Sequence, residues 1–250
     1  WIASRVEAGT MLLGTQHGGL YGMGLAYSDE EHEIAICDNY YTWGWKKAGL
    51  KKVKPMPSLK LNKARKIGKA DNSGRILLVL PAFPRYFYYV FSGPIAAFGL
   101  KALYDFQFRF IRALSEESRK EILVRLYVHD YRWEQKKRWS CEFPDVECVP
   151  PDEPLSEQLK TSRLCVVPYN GTAYLETLAG NFPTLLFWDP KQWELREDAR
   201  PYFDKLHEAG ILHYTPESAA KKIAEINNDV ASWWETNEVQ EAKKQFCGHF

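Results

Sequence analysis

Two short stretches of this 250-residue sequence combine glycines with polar side chains that could do chemistry. The first, GTQHGGLYGMG at residues 14–24, places His17 beside Gly18 and Gly19, directly after an apolar run. An imidazole titrates near neutral pH and could serve as a base, a donor or an acceptor. The glycines would let the backbone approach a ligand closely. The alternative is a turn whose histidine only hydrogen-bonds the backbone.

The second stretch, VVPYNGTAYLE at residues 166–176, reads as a strand that runs into a helix. Asn170 or Thr172 could cap this helix, and Gly171 would allow close approach of a ligand. Free N–H groups at a helix start favour phosphate. Glu176, one turn further on, could accept hydrogen bonds from a sugar or ribose hydroxyl. The alternative is an ordinary capped helix with a surface glutamate.

Two arginines lie at positions where they could bind an anion. Arg85 follows the strand pattern at residues 75–83, and Arg125 lies inside the strand pattern at 121–130. A guanidinium in a strand is costly to bury unless it is paired or faces an anion. Either side chain could grip phosphate or carboxylate through its planar fork. For Arg125, an outward-facing position on an edge strand explains the sequence equally well.

Composition excludes several classes of protein. The 33 basic and 32 acidic residues nearly balance, which argues against nucleic-acid binding driven by bulk charge. The five cysteines form no CxxC pair, so neither a disulfide framework nor a zinc knuckle is indicated, and isolated thiols fit a reducing cytoplasm. No apolar run reaches transmembrane length and no signal peptide is visible. Because the first residue is Trp1, we expect an N-terminal truncation.

Alternating strand and helix patterns over residues 75–215 predict an α/β fold with five or six strands in a doubly wound parallel sheet. The helices predicted in this region and after it include residues 131–139, residues 194–210 with a break near Pro201, and residues 230–246. We predict that residues 1–50 form the tail of a preceding domain, with a second strand near residues 34–37. The Lys-rich and Pro-rich stretch that follows predicts a basic linker at residues 51–74. Its charges either face water or lie near anionic lipid or a polyanionic substrate.

Several blocks of the sequence together resemble those of bacterial surface-carbohydrate transferases, which have a GT-B-like fold. These blocks occur in the same order and cover nearly the whole chain, and they are TQHGGLYG, DNYYTWGW, NGTAYLETLAGNFPTLLFW and AGILHYTPESAAKKIAEINNDVASWW. The resemblance implies two Rossmann-like domains that face each other across a cleft. Residues 1–50 would then close the N-terminal, acceptor-side domain, and 75–230 would form the donor domain. Residues 231–250 would form a helix that packs back toward the N-terminal domain.

The resemblance also implies roles for the residues singled out above. His17 would face the cleft as the catalytic group, either hydrogen-bonding the departing phosphate or acting as a base. The donor would be bound by a set drawn from both domains: Gly18, Gly19, Arg85, Arg125, Asn170, Gly171, Thr172 and Glu176. No metal or cofactor is expected, because enzymes of this fold generally manage without a catalytic metal and the chain has no DxD pair.

The activity implied is transfer of a sugar from a nucleotide-activated donor to a bacterial cell-surface glycan or its precursor. The expected partners are the nucleotide-sugar and a glycan or lipid-linked acceptor, with no nucleic acid. We expect the protein in the cytoplasm and leave peripheral contact with the inner face of the membrane open. Three alternatives remain: a polyol-phosphate transferase, a nucleotide-sugar 2-epimerase of the same fold, and a catalytically inactive scaffold for glycan assembly.

Overall fold

The computed structural model describes residues 1–85 and 99–250. The N-terminal part contains the elements α1 (Ile2–Glu7), β1 (Leu13–Thr15), α2 (Ser28–Ile36), β2 (Asn39–Thr42), β3 (Val53–Pro55) and α3 (Leu59–Ala64). Its strands form a parallel sheet in the order β1-β2-β3. A parallel sheet needs both faces covered, because its strands are joined by crossovers that lie on those faces.

The larger part is a second parallel sheet with helices between its strands. Among the described residues this sheet has six strands, in the order β6-β5-β4-β7-β8-β9. Its elements are β4 (Arg75–Val79), α4 (Leu100–Ala113), α5 (Glu116–Lys120), β5 (Ile122–Arg125), α6 (Gln135–Glu142), β6 (Glu147–Val149), α7 (Leu155–Leu159), β7 (Ser162–Val167), α8 (Thr172–Ala179), β8 (Thr184–Phe187), α9 (Arg200–Glu208), β9 (Leu212–His213), α10 (Pro216–Ile226), α11 (Val230–Trp234) and α12 (Asn237–His249).

The strand order confirms the α/β fold class and the doubly wound parallel sheet. From β4 the chain builds outward through β5 to β6, and then returns to the other side of β4 with β7. All six residues of β7 are buried, as expected of a central strand covered on both faces. The strands are added on one side of β4 up to β6 and on its other side from β7 onward. This reversal of the strand order between β4 and β7 is a topological switch point, where ligands bind in sheets of this kind.

Several predicted boundaries differ from the structure. Residues 34–36 end the helix α2, and the second strand is at Asn39–Thr42. Part of the predicted linker at 51–74 is folded, because it contains β3 and α3. The strand predicted at 121–130 ends at Arg125, and the helix predicted to start at 131 begins at Gln135. Non-glycine residues with positive φ occupy positions 131, 132 and 134 and keep this segment out of a helix.

Two helices near the C-terminus also differ from the prediction. The helix predicted at 194–210 starts only at Arg200, and Pro201 lies in its first turn rather than at an internal break. Proline is tolerated there because the first turn of a helix needs no N–H donor. The helix predicted at 230–246 is divided into α11 and α12. No helix among the described residues is long and apolar enough to cross a membrane.

The two parts of the chain are joined by main-chain pairing as well as by apolar packing. The amide of Leu25 donates to the carbonyl of Glu194 at 2.9 Å, and the amide of Arg196 donates to the carbonyl of Met23 at 2.9 Å. Met23 is completely buried at this contact. The segment that follows residues 17–21, the His-Gly loop, is therefore fixed against the part of the chain that forms the larger sheet. The division into domains at residues 50 and 75 stays a prediction.

A buried carboxylate reinforces this junction. Glu30 is only 3% exposed and accepts a 2.6 Å hydrogen bond from the amide of Gly22. It also pairs with Lys47 at 3.1 Å and with Arg196 at 3.0 Å. A buried charge is tolerated only when it is paired and hydrogen-bonded, and loss of a partner is strongly destabilising. Glu30 therefore ties the N-terminal part to the larger part through Arg196.

The histidine in β9 generates a prediction about acid stability. Burial lowers the pKa of His213 to about 4, although its Nε2 donates to the carbonyl of Gly210 at 3.2 Å. The folded state thus favours the neutral ring. His213 contributes its full stabilisation above the unfolded-state pKa of about 6.5, and this contribution is lost as the pH falls toward 4.

We expect His213→Gln to lose less stability than the parent protein between pH 7 and pH 4, by about 2–3 kcal/mol. Urea unfolding at a series of pH values measures this difference. The matched control is His32→Gln, at an exposed position on α2, which should retain the parent's pH dependence. Equal loss of stability in acid by His213→Gln and the parent would contradict the lowered pKa of His213.

Candidate functional site

A cleft of about 810 Å³ lies at the carboxyl edge of the larger sheet. Its walls include segments that follow β4, β5, β6 and β7, together with the loop that follows β1. The two parallel sheets thus direct their carboxyl ends toward a common space. Eight of the nine predicted site residues line this cleft, all except Arg85, and they are His17, Gly18, Gly19, Arg125, Asn170, Gly171, Thr172 and Glu176.

A buried glutamine fixes the shape of the His-Gly loop. Gln16 is 4% exposed, and its Oε1 accepts hydrogen bonds from the Trp43 amide and the Trp45 indole, both at 2.8 Å. Its Nε2 donates to the carbonyl of Gly18 at 2.8 Å. Because these hydrogen bonds use both ends of the amide, the loop is held to the turn after β2. His17 therefore projects from a fixed backbone.

The glycines let the two halves of the site meet backbone to backbone. The amide of Gly19 donates to Oγ1 of Thr172 at 3.0 Å. A Cβ atom on Gly19 would lie 2.5 Å from the carbonyl carbon of Gly171 and 2.6 Å from the amide nitrogen of Thr172. Real Cβ atoms do not approach backbone this closely, so Gly19 is required by the contact between the loops. The predicted close approach of these glycines to a ligand stays a prediction.

His17 belongs to a hydrogen-bonded cluster with Glu33 and Tyr21. Its Nε2 lies 2.9 Å from Oε1 of Glu33 and 2.7 Å from the hydroxyl of Tyr21, and that hydroxyl donates to Glu33 at 3.1 Å. A carboxylate beside an unprotonated nitrogen would be repulsive, so we assign the proton to Nε2. Nδ1 is then the nitrogen left to accept a proton. The histidine side chain is 64% exposed and so accessible from the cleft.

Buried tyrosines hold the carboxylate in this cluster. Tyr40 donates to Oε2 of Glu33 at 2.7 Å, while Tyr21 and His17 contact Oε1. Burial raises the pKa of the Tyr21 and Tyr40 hydroxyls well above the ordinary value, and Glu33 adds to both effects. Both phenols therefore stay protonated donors at neutral pH. The arrangement places a fixed, negatively charged acceptor behind the histidine.

The start of α8 forms the opposite wall. Its N-cap is Gly171, and no side chain caps it. The predicted capping by Asn170 or Thr172 is wrong, because the Thr172 hydroxyl accepts from Gly19 and Oδ1 of Asn170 accepts from Tyr174 at 2.8 Å. The first-turn N–H groups therefore have no side-chain acceptor in the described part of the chain. Together with the helix dipole, they make this end of α8 suited to an anion.

Asn170 has an unused donor beside this helix start. The residue is 2% exposed and lines the cleft. Within residues 1–85 and 99–250, its buried Nδ2 has no hydrogen-bond partner. Leaving a buried donor without an acceptor costs roughly 1–3 kcal/mol. A ligand oxygen at the start of α8 would supply that acceptor.

The two arginines have structural contacts of their own. Arg125 lines the cleft, but its guanidinium donates to the carbonyls of Pro151 and Glu153, at 3.0 and 2.7 Å, and to Gln158. Burial lowers the pKa of this guanidinium. Arg125 thus fixes the loop that follows β6.

Arg85 is not one of the residues that line the cleft. Its guanidinium donates to the carbonyl of Arg132 at 3.3 Å and lies 5.3 Å from the ring centre of Trp133. The structure therefore does not bring Arg85 together with the other predicted site residues. A role for either arginine in donor binding stays a prediction.

Glu176 lines the cleft one turn into α8, where it pairs with Lys60 of α3 at 3.1 Å through Oε1. Sequence reasoning missed this lysine, as it missed Glu33 and Tyr21. Glu33 lies in the acidic run SDEEHE, 16 residues after His17, and no spacing rule connects the two. The described residues contain no group of three or more His, Cys, Asp or Glu side chains that could hold a metal ion.

Comparison with known proteins identifies the family. The model of the LIC12162 family transferases matches residues 1–250. The chain belongs to the LIC12162 transferase family. This confirms the transferase resemblance found in the sequence. Among curated proteins, none matches this LIC12162 family sequence.

The solved structures that are similar to this family member share little sequence identity with it. The wall teichoic acid polymerase TagF is 12% identical with a TM-score of 0.45, over 96% of this chain and 64% of TagF. A protein from Listeria monocytogenes described as a UDP-N-acetylglucosamine 2-epimerase is 12% identical with a TM-score of 0.49, over 98% of this chain. The chain spans 64% of the length of each of these structures.

The contact between the two loops predicts that Gly19→Ala is destabilising. The added methyl group would collide with backbone atoms of Gly171 and Thr172, which cannot rotate away. We expect a loss of about 1–3 kcal/mol in the free energy of unfolding, measured with urea. The control is Gly68→Ala, where no atom lies within 4 Å of the added carbon. Equal unfolding midpoints for the two variants would contradict the contact.

Proposed function

We propose that this LIC12162 family member is a glycosyltransferase of GT-B type. It would move a sugar from a nucleotide-activated donor to a bacterial cell-surface glycan or its precursor. The observation that supports this most is the pairing, across one cleft, of the His17–Glu33 cluster with the uncapped start of α8. A site for an anion and a site for a base then lie on opposite walls of the same space.

The donor phosphates are proposed to bind at the start of α8. The first-turn N–H groups and the helix dipole favour negative charge there. Nδ2 of Asn170 would donate to a phosphate oxygen and so gain the acceptor that it lacks among the described residues. Glu176 would accept from the ribose hydroxyls, with Lys60 holding the carboxylate in place.

His17 is proposed to act on the acceptor or on the leaving group. As a base, Nδ1 would take the proton of the acceptor hydroxyl while the oxygen attacks the anomeric carbon. The bond from that carbon to the phosphate oxygen would break, and the nucleotide would leave with the electron pair. Glu33 would stabilise the imidazolium that forms. In the second role, His17 would hydrogen-bond the departing phosphate.

The charge that develops on the leaving nucleotide needs compensation. We propose that the start of α8 supplies most of it and that no metal takes part. Fixed N–H dipoles in a partly enclosed cleft need no reorganisation during the reaction, which makes this form of stabilisation effective. Nucleotide-activated donors and free cysteines are both typical of the cytoplasm, where we place the reaction.

Nucleotide binding tests the donor site. We expect titration calorimetry with CMP, CDP, UDP and GDP to find one nucleotide that binds selectively. Asn170→Asp adds a negative charge beside the phosphates at nearly constant shape and should weaken that binding at least tenfold. The control is Asn228→Asp, at an exposed position that lies outside the cleft lining, which should bind as the parent does.

Absence of binding by all four nucleotides would contradict the donor site and favour the scaffold alternative. If the bound nucleotide is cytidine diphosphate and a polyol-phosphate donor is consumed, the polyol-phosphate transferase is correct instead. Interconversion of free nucleotide-sugars without an acceptor would identify the epimerase.

Turnover of the selected donor tests the catalytic cluster. We expect His17→Ala to lower kcat by about 10²–10⁴-fold, as removal of a general base does, with nucleotide affinity unchanged within about twofold. Glu33→Gln keeps the shape and one acceptor oxygen but removes the charge, and its loss should be smaller than that of His17→Ala. The measurement is release of nucleotide from the donor. Full activity of His17→Ala would contradict the proposed role.

A further inference from the structure

The charge of this protein is strongly segregated along the chain. Residues 46–70 hold ten of the 33 basic residues and none of the 32 acidic residues. We propose that this basic segment, residues 46–70, is a docking surface for an anionic lipid bilayer. The segment carries β3 and α3, so it is a folded surface rather than a free tail.

Most of its charges are not neutralised within the protein. In the described part of the chain, Lys47 and Lys60 have acidic partners, and Lys52 donates to main-chain carbonyls of α2 and the residue after it. The other seven have no ion pair with a carboxylate among the described residues, and they are Lys46, Lys51, Lys54, Lys63, Arg65, Lys66 and Lys69. A membrane surface rich in anionic lipid attracts such a group by roughly 1 kcal/mol per lysine, or about fivefold in affinity.

Exposed apolar side chains favour lipid over a soluble polyanion. Leu59 is 78% exposed at the start of α3, and Met56 and Leu50 are 42% and 38% exposed. Basic residues flank each of these positions along the chain. A polyanionic glycan offers these apolar groups nothing, whereas the headgroup boundary of a bilayer accepts apolar side chains between lysines. The combination of charge and exposed apolar area therefore indicates a bilayer.

Hydrogen bonds fix the backbone of this surface where it would meet the membrane. β3 pairs with β2 through the register Tyr40–Val53 to Thr42–Pro55. Ser58 then caps α3, because its Oγ accepts from the amide of Leu61 at 3.1 Å. Leu59 and the lysines of α3 are thus presented on a helix whose start is fixed. Little ordering would be needed on binding, which makes a preformed surface efficient.

The basic segment adjoins the candidate site. A Cβ atom on Gly180, after α8, would lie 2.7 Å from the carbonyl oxygen of Ala64 in α3, so the two helices pack closely. Lys60 of the same helix pairs with Glu176 inside the cleft. A lipid-linked acceptor anchored in the bilayer would therefore lie beside the cleft. This last step rests on the proposed function, whereas bilayer docking does not.

Vesicle flotation tests the proposal without any nucleotide, so its failure is distinct from failure of the donor site. We expect the protein to bind vesicles of phosphatidylcholine with phosphatidylglycerol and not vesicles of phosphatidylcholine alone. Lys63→Gln with Lys66→Gln should weaken binding about fivefold per lysine removed. The matched control is Lys191→Gln with Lys221→Gln, at exposed positions outside the segment, which lowers the net charge equally. It should bind within about twofold of the parent.

Leu59→Ser separates lipid from other polyanions, because it leaves the net charge unchanged. We expect about tenfold weaker binding to the anionic vesicles, since an apolar side chain no longer enters the bilayer. Unchanged vesicle binding by Leu59→Ser, together with displacement by soluble polyphosphate, would overturn the bilayer in favour of a soluble polyanion. No binding to anionic vesicles, or equal losses in the two double-lysine variants, would overturn the docking surface itself.

Discussion

The candidate site depends on one close contact, in which the backbone of the His-Gly loop meets the start of α8. Gly19 approaches Gly171 and Thr172 so closely that no Cβ atom fits between them, and its amide donates to the Thr172 hydroxyl. Gly171 in this contact is also the N-cap of α8 and has no side chain, so the first-turn N–H groups of α8 lack a side-chain acceptor among the described residues. The contact thus joins the two sheets at a helix start that is left open for an anion. The pairing of Met23 and Leu25 with the chain near Arg196 maintains that geometry.

The electrostatics of the two walls are complementary in function. One wall has a carboxylate, Glu33, that is held by phenols and stabilises positive charge on His17. The other wall has N–H groups and the Nδ2 of Asn170, which stabilise negative charge. A transfer reaction that takes a proton from an acceptor and expels an anionic leaving group develops these two charges together. Preorganised groups of opposite character across a cleft suit that chemistry.

The fold was largely predictable from local patterns, and the site was predictable only in part. Buried strands such as β4 and β7 can be recognised in the sequence as short apolar runs, and their alternation with helices predicts the parallel sheet. The glycines around His17 and Asn170 indicate two loops at strand ends, and both line the cleft. What Gly19 contacts could not be predicted, because its closest neighbours, Gly171 and Thr172, lie about 150 residues away in the chain.

Other parts of the site could not be predicted from the sequence either, because they too depend on contacts between residues that are distant in the chain. Arg125 reads as an anion ligand in sequence, but three neighbouring acceptors from the loop after β6 and α7 use its guanidinium. Glu33 reads as one acid in an exposed helix, and only the packing of α2 against β2 brings it to His17. The basic run at 51–74 reads as a linker because lysines and prolines dominate it. Pairing of β3 with β2 overrides that composition.

Hydrogen–deuterium exchange with and without the selected nucleotide tests whether the nucleotide binds between the two walls of the cleft. We expect slower exchange of the amides at the start of α8, residues 171–174, and of the His-Gly loop, residues 17–21, at the same nucleotide concentration. Protection of both segments in one titration would place the nucleotide between the two walls. Binding without any change in either segment would contradict the cleft as the donor site.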